Sequence, residues 1–281
     1  LIVTGMLATA SARAAVQMCE SSDPNDISVR VGSWCVDRYE AVVCDSRLSS
    51  GAFAGGCISP TNGNNGTNHA DSSSNPEGSA LDAKIDRAGR LIDRAYRAYS
   101  VAGLVPTRYV SYPQALAACL NAGKTLVPDS VWLAASLGTF APGANDGLTN
   151  SRCNTLSQGA PNYRATGMAG SVPGGEGGCI SQWGAEDMVG NFWEWTDAVS
   201  SVSATSGPVD HSASPVSGLA LPAALPAGKH ALGIPGAHTR GGSFGWGATS
   251  SPWSIVYLIT YERQAWALGF RCARPYLGKE K

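Results

Sequence analysis

The chain has 281 residues, 43% of them apolar and only 15% charged, with 34 glycines and a formal net charge of −1. That is enough apolar side chain for one large core and too little positive charge to gather a nucleic-acid backbone. The charged fraction lies below the roughly 25% usual for soluble domains; with so much glycine and serine it points to long irregular connections rather than a helical bundle.

The first residues, LIVTGMLATASARAA, are apolar, then small, and contain Ala12-Arg13-Ala14. Residues 1–14 therefore read as the remnant of a secretory signal, the competing reading being a short buried strand. Residues 15–27 follow as an N-terminal extension. No later apolar run reaches the roughly 18 residues of a membrane-spanning helix, so no transmembrane segment is expected. Eight cysteines stand at positions 19, 35, 44, 57, 119, 153, 179 and 272, with no Cys-x-x-Cys pair, and the four histidines are scattered. Zinc is poorly supported. An even cysteine count behind a signal-like start favours disulfides and a secreted or cell-envelope location, with buried free thiols as the alternative.

Val29 to Val43 has the β-branched content of one or two strands. Residues 58–79 form a polar, low-complexity loop. From Leu81 to Tyr99 the apolar residues Leu81, Ile85, Ala88, Leu91, Ile92 and Ala95 recur near helical spacing, which predicts a helix with a charged outer face. A second helix is predicted over Tyr112–Ala122, capped by Ser111, with Pro113 in its first turn and Gly123 ending it. A third starts near Asp129 and stops at Gly138. Residues 141–180 and 200–237 are rich in glycine and small polar residues and read as loops.

Between those loops lies DMVGNFWEW, residues 187–195. Two carboxylates flank a tight glycine turn. The side chains of Asp187 and Glu194 and the carbonyls of Gly190 and Phe192 can converge, and calcium takes such carboxylate and carbonyl oxygens. A surface turn whose tryptophans plug the core is the plainer reading. Further on, Trp253, Ile255, Tyr257, Ile259 and Tyr261 alternate as in a strand, which predicts one large aromatic face, with Trp246 and Trp266 at its flanks.

The run MVGNFWEWTD strongly resembles the G-N-x-W-E-W signature of the formylglycine-generating-enzyme (sulfatase-modifying factor) superfamily. WCVDRYEAVV (34–43), VSYPQALAACLNAGKTLVPDSVWLAAS (110–136), RGGSF (240–244) and GFRCAR (269–274) are similar to further blocks of that family, in the same order. The resemblance implies an α+β, C-type-lectin-like single domain over 28–276, with an insertion at 58–100, a loop at 200–237 and a short tail at 277–281. It implies calcium at Asp187, Gly190, Phe192 and Glu194, and leaves open a second site using Asn154. It also implies a disulfide between Cys119 and Cys272, which closes a loop of ~150 residues and is rated at about 4–5 kcal/mol by chain entropy. Proximity in sequence suggests Cys153 with Cys179 and Cys44 with Cys57.

The family's oxidative chemistry uses a copper(I)-binding cysteine pair just after the GGS block. The matching positions here are Trp246 and Ser251, neither of which replaces a thiolate. The expected function is therefore an exported, non-catalytic ligand-binding protein on a calcium-supported scaffold. Its contacts would be Trp246, Trp253, Tyr257, Tyr261, Arg263 and Trp266, and its partner an unknown protein or surface ligand. Phe244 and Phe270 are expected in the core. Residues 244–268 also have the place and length of the diversified segment in variable proteins of diversity-generating retroelements. An oxidoreductase with altered groove chemistry and a purely structural envelope domain are the rival readings.

Overall fold

The computed structural model describes residues 15–47, 56–58, 81–139, 153–155, 163–167, 178–200, 236–259 and 261–278, with only the backbone of Ala248, Tyr257 and Leu258. The signal-like start and nearly all of the 58–79 and 200–237 loops lie outside the described residues.

Strands β1 (Ser28–Val31), β2 (Trp34–Asp37) and β3 (Val42–Asp45) occupy the stretch expected to hold one or two strands. β3 is the middle of a small sheet, between β4 (Cys57–Ile58) and β5 (Tyr96–Tyr99), and its pairing with β4 sets Cys44 opposite Cys57.

The predicted 81–99 helix does not form. Leu81 and Ile85 are buried, as the spacing implies, but Ile92 is 59% exposed and the chain turns repeatedly before β5. Aspartates are the cause. The Asp86 carboxylate accepts from Ala88 N and Arg90 N, and that of Asp93 from Ala95 N. Such local bonds offer the backbone an alternative to the helical ladder. Gly89, at φ +81, turns the chain between them. The expected charged face becomes the exposed pairs Arg87–Asp82, Arg90–Asp86 and Arg47–Asp93, each of small energetic weight.

The other two helices form where predicted. Helix α1 (Tyr112–Asn121) opens with a capping box. Gln114 N donates to Ser111 Oγ at 3.3 Å and Ser111 N donates to Gln114 Oε1 at 2.9 Å. Its buried face, Ala115, Ala118 and Cys119, meets the main core. Helix α2 (Asp129–Ser136) turns Trp132 fully inward.

The remaining strands are β6 (Thr125–Leu126), β7 (Trp193–Ser200), β8 (Gly236–Arg240), β9 (Ile255–Ile259), β10 (Leu268–Phe270) and β11 (Cys272–Pro275). One sheet runs β1-β2-β11-β6, so strands from the two ends of the domain pair with each other. A second runs β10-β7-β8-β9, with β10 parallel to β7. Trp195, Leu126, Phe270 and the Cys119–Cys272 disulfide fill the space between α1 and these sheets. Cys44–Cys57 and Cys153–Cys179 are also bonded, and a fourth bridge, Cys19–Cys35, joins the N-terminal extension to β2. All eight cysteines are thus used. Among the described residues no helix is long and apolar enough to cross a membrane.

Candidate functional site

The turn before β7 runs through three residues of positive φ: Asp187 (+55), Gly190 (+82) and Asn191 (+51). Asparagine tolerates that region better than most side chains, and glycine enters it freely. Gly190 is required for space as well, because a Cβ there would lie 2.4 Å from the Asn154 carbonyl oxygen. Asn191 is the polar hub of the turn. Its Oδ1 accepts from Asn154 Nδ2 (3.0 Å) and Arg164 N (2.9 Å), and its Nδ2 donates to Glu40 Oε2. Glu40 Oε1 accepts from Phe192 N at 3.0 Å. Burial, then the neighbouring Glu194 and Asp187, pushes the Glu40 carboxyl well above the ordinary carboxylate range.

Of the four residues expected to hold calcium, the structure engages Glu194 elsewhere. Its Oε2 accepts from Trp132 Nε1 and Arg271 Nε, both at 2.7 Å, and its Oε1 from Arg271 Nη2 at 2.5 Å. Glu194 is 1% exposed and Arg271 fully buried. Calcium takes roughly six to eight oxygens. With three of the four Glu194 lone pairs taken by Arg271 and Trp132, the expected set offers Asp187, two carbonyls and one remaining position on Glu194 Oε1, fewer than the ion takes. Burial, then Glu186 beside it, pushes the Asp187 carboxyl up to about 7. Glu186 Oε1 accepts from Arg38 Nε and Nη2, while its Oε2 is buried without a partner. Asn154, left open for a second calcium site, is tied to Asn191.

The aromatic segment is only partly the face that alternation predicts. β9 carries one extra residue opposite β8, since Val256 faces Thr239 and Ile259 faces Ala237. The bulge breaks the period of two. Val256 is buried in the core and Ile259 packs against it. Trp253 precedes the strand and is 58% exposed, its N–H donating to Ser251 Oγ. Trp246 is half-buried, edge-on to Trp193 at 5.1 Å between centroids. Tyr261 is half-buried against Tyr112 (5.2 Å) and Trp266 against Phe244 (4.8 Å). Arg263 is half-buried, and the side chain of Tyr257 lies outside the description. Phe244 and Phe270 are in the interior, as expected. Trp246, Tyr261 and Trp266, each half-buried against a neighbouring ring, and the exposed Trp253 are the partly exposed margin of this segment.

Sequence reasoning missed Arg271, Glu40, Trp132 and Lys124 as organising residues. Lys124 is buried, its ammonium held by Asp26 (2.6 Å) and Asp37 (2.8 Å), and these carboxylates outweigh burial in keeping it charged. All four lie inside the recognised blocks.

The sequence profile of the sulfatase-modifying factor enzyme 1-like domain matches residues 33–276. Among solved structures the chain is similar to the Major Tropism Determinant M1 variant, at 14% identity over 92% of this chain and 55% of that one, with a TM-score of 0.47. It is similar to Treponema denticola variable protein 1 at 15% identity over 94% and 93%, TM-score 0.44. To PvdO from Pseudomonas aeruginosa it is similar at 15% identity over 86% and 80%, TM-score 0.38. The chain spans about half the length, or less, of the tropism determinants it matches. No curated protein sequence matches it. The recognised blocks, the pairing of terminal strands and the profile match agree: this α+β, C-type-lectin-like chain belongs to the sulfatase-modifying factor enzyme 1-like domain family.

Proposed function

We propose that this chain is an exported, ligand-binding member of its family that grips a protein or surface ligand through Trp246, Trp253, Tyr257, Tyr261, Arg263 and Trp266. The observation that carries the reading is Trp253, a tryptophan 58% exposed, on a segment where Trp246 is held edge-on to Trp193, Trp266 tilts against Phe244 and Tyr261 against Tyr112. Rigid aromatics with restricted side chains give contact area at low entropy cost. A second observation bears on the oxidative alternative. Every cysteine is in a disulfide, so no thiol is available at the Trp246 and Ser251 positions to bind copper(I). Four disulfides suit an oxidising compartment.

The segment 244–268 is framed by RGGSF and GFRCAR, and we assign it as the part that varies between related ligand specificities. A near-copy of its coding DNA beside a reverse-transcriptase gene is the expected genomic mark. The binding test is a screen of the labelled chain on arrayed glycans and cell-surface proteins, repeated with Trp253→Ala. A loss of at least about ten-fold in affinity, near 1.4 kcal/mol, is expected. Unchanged affinity with an intact fold removes the margin from the reading, and tight copper(I) binding with oxygen consumption on a cysteine peptide replaces it with the enzymatic one.

A further inference from the structure

The Arg271 guanidinium has five N–H donors, and five oxygens receive them. Nε donates to Glu194 Oε2 (2.7 Å) and Nη2 to Glu194 Oε1 (2.5 Å). The other Nη2 hydrogen goes to the Glu186 carbonyl (2.9 Å), and Nη1 donates to the carbonyls of Asp37 (3.0 Å) and Arg38 (3.2 Å). A bidentate carboxylate with three backbone carbonyls is the kind of oxygen set that a hard cation collects. Here one fully buried side chain collects it. The five oxygens come from three distant stretches of chain: the end of β2, the residue before Asp187, and β7.

We propose that Arg271 is the resident cation of the 187–194 turn, so that the domain holds this turn in place without a divalent metal. Charge and geometry both favour the guanidinium over an ion from solution. A buried carboxylate must be paired, and Glu194 is paired at both oxygens. An ion seated on Glu194 would share its oxygens with a positive group already 2.5–2.7 Å away. Asp187 and Glu186 Oε2 are the groups a metal would have to use instead, and they adjoin Arg271 and Arg38.

The test uses the purified full chain. Elemental analysis after preparation without chelator is expected to find far less than one calcium per chain. The melting temperature is expected to agree within about 1 °C between excess chelator and millimolar calcium. One bound calcium per chain, or a fall of roughly 5 °C or more on chelation, overturns the proposal. Arg271→Lys keeps the charge but offers three donors to five acceptors. Its melting temperature is expected to fall by roughly 5–10 °C and not to recover with calcium. An Arg271→Lys chain as stable as the parent, or one restored by calcium, also overturns it. If that variant does not fold, the parent-chain measurements decide alone.

Discussion

The 187–194 turn and the 244–268 segment touch, since Phe244 N donates to Asn191 O and Phe192 packs edge-on to Phe244. Yet they are built on opposite plans. In the turn, Asn191 and Glu194 are buried and each is met by several partners from other parts of the chain. In the segment, Phe244 and Val256 are buried, while Trp246, Tyr261 and Trp266 are half in solvent and Trp253 mostly so. A substitution in the turn leaves a buried polar group or a clash, which costs several kcal/mol; one on the margin removes half-exposed apolar contact. The turn therefore tolerates less substitution than the margin.

Four predictions test that contrast, the largest effect first. Gly190→Ala places a Cβ 2.4 Å from the Asn154 carbonyl oxygen at φ +82, and should cost about 3 kcal/mol or more in denaturant unfolding. Asn191→Ala removes the Asn191 bond from two donors, Asn154 Nδ2 and Arg164 N, and from two acceptors, Glu40 Oε2 and the Arg164 carbonyl. It should cost about 2–3 kcal/mol by the same measurement. An unfolding free energy within experimental scatter of the parent for either variant would break the contrast.

The third is a pH dependence. The folded Asp187 carboxyl, at about 7, lies above its ordinary value of 3.8. The folded state therefore holds this proton more tightly, and the stability it contributes is fully present below about pH 4 and lost as pH rises through about 7. Asp187→Asn should flatten the fall between those values by about 1–3 kcal/mol in unfolding measured across pH. An unchanged slope would show Asp187 to be ionised and paired. Smallest of all, Gly245→Ala meets only the edge of the Trp266 ring at 3.4 Å, and Trp253 is mostly in solvent. Gly245→Ala and Trp253→Ala should each shift stability by less than about 1 kcal/mol while Trp253→Ala weakens ligand binding by at least about ten-fold. A large stability loss at Trp253 would make it a core residue and end the functional reading.

Legibility in the sequence followed the range of the interaction. Helix α1 was readable because Ser111 and Pro113 act within its first turn and Gly123 just beyond its last. The 81–99 stretch misled because apolar spacing there matched a helix while Asp86 and Asp93 bonded their own neighbours' N–H groups. The margin was half readable. Its aromatics could be counted, but the bulge that swings Val256 and Ile259 together depends on pairing with β8. The Cys19–Cys35 bridge was missed because the N-terminal extension comes beside β2 by pairing with β1, at Met18–Val29 and through Cys19 N to Ser28 O, which no local pattern announces.

By itself the sequence determined the family, the order of blocks, the loop-rich α+β character, the cysteine inventory and the presence of Trp246 and Ser251 after the GGS block. These depend on residue identity and short-range spacing. Tertiary structure alone decided which cation Glu194 meets. Glu194 and Arg271 are 77 residues apart, and Glu194 and Trp132 62. A carboxylate beside a glycine turn has the same local pattern whether calcium or a guanidinium faces it; the β7–β10 pairing and the inward turn of α2 bring Arg271 and Trp132 to its oxygens.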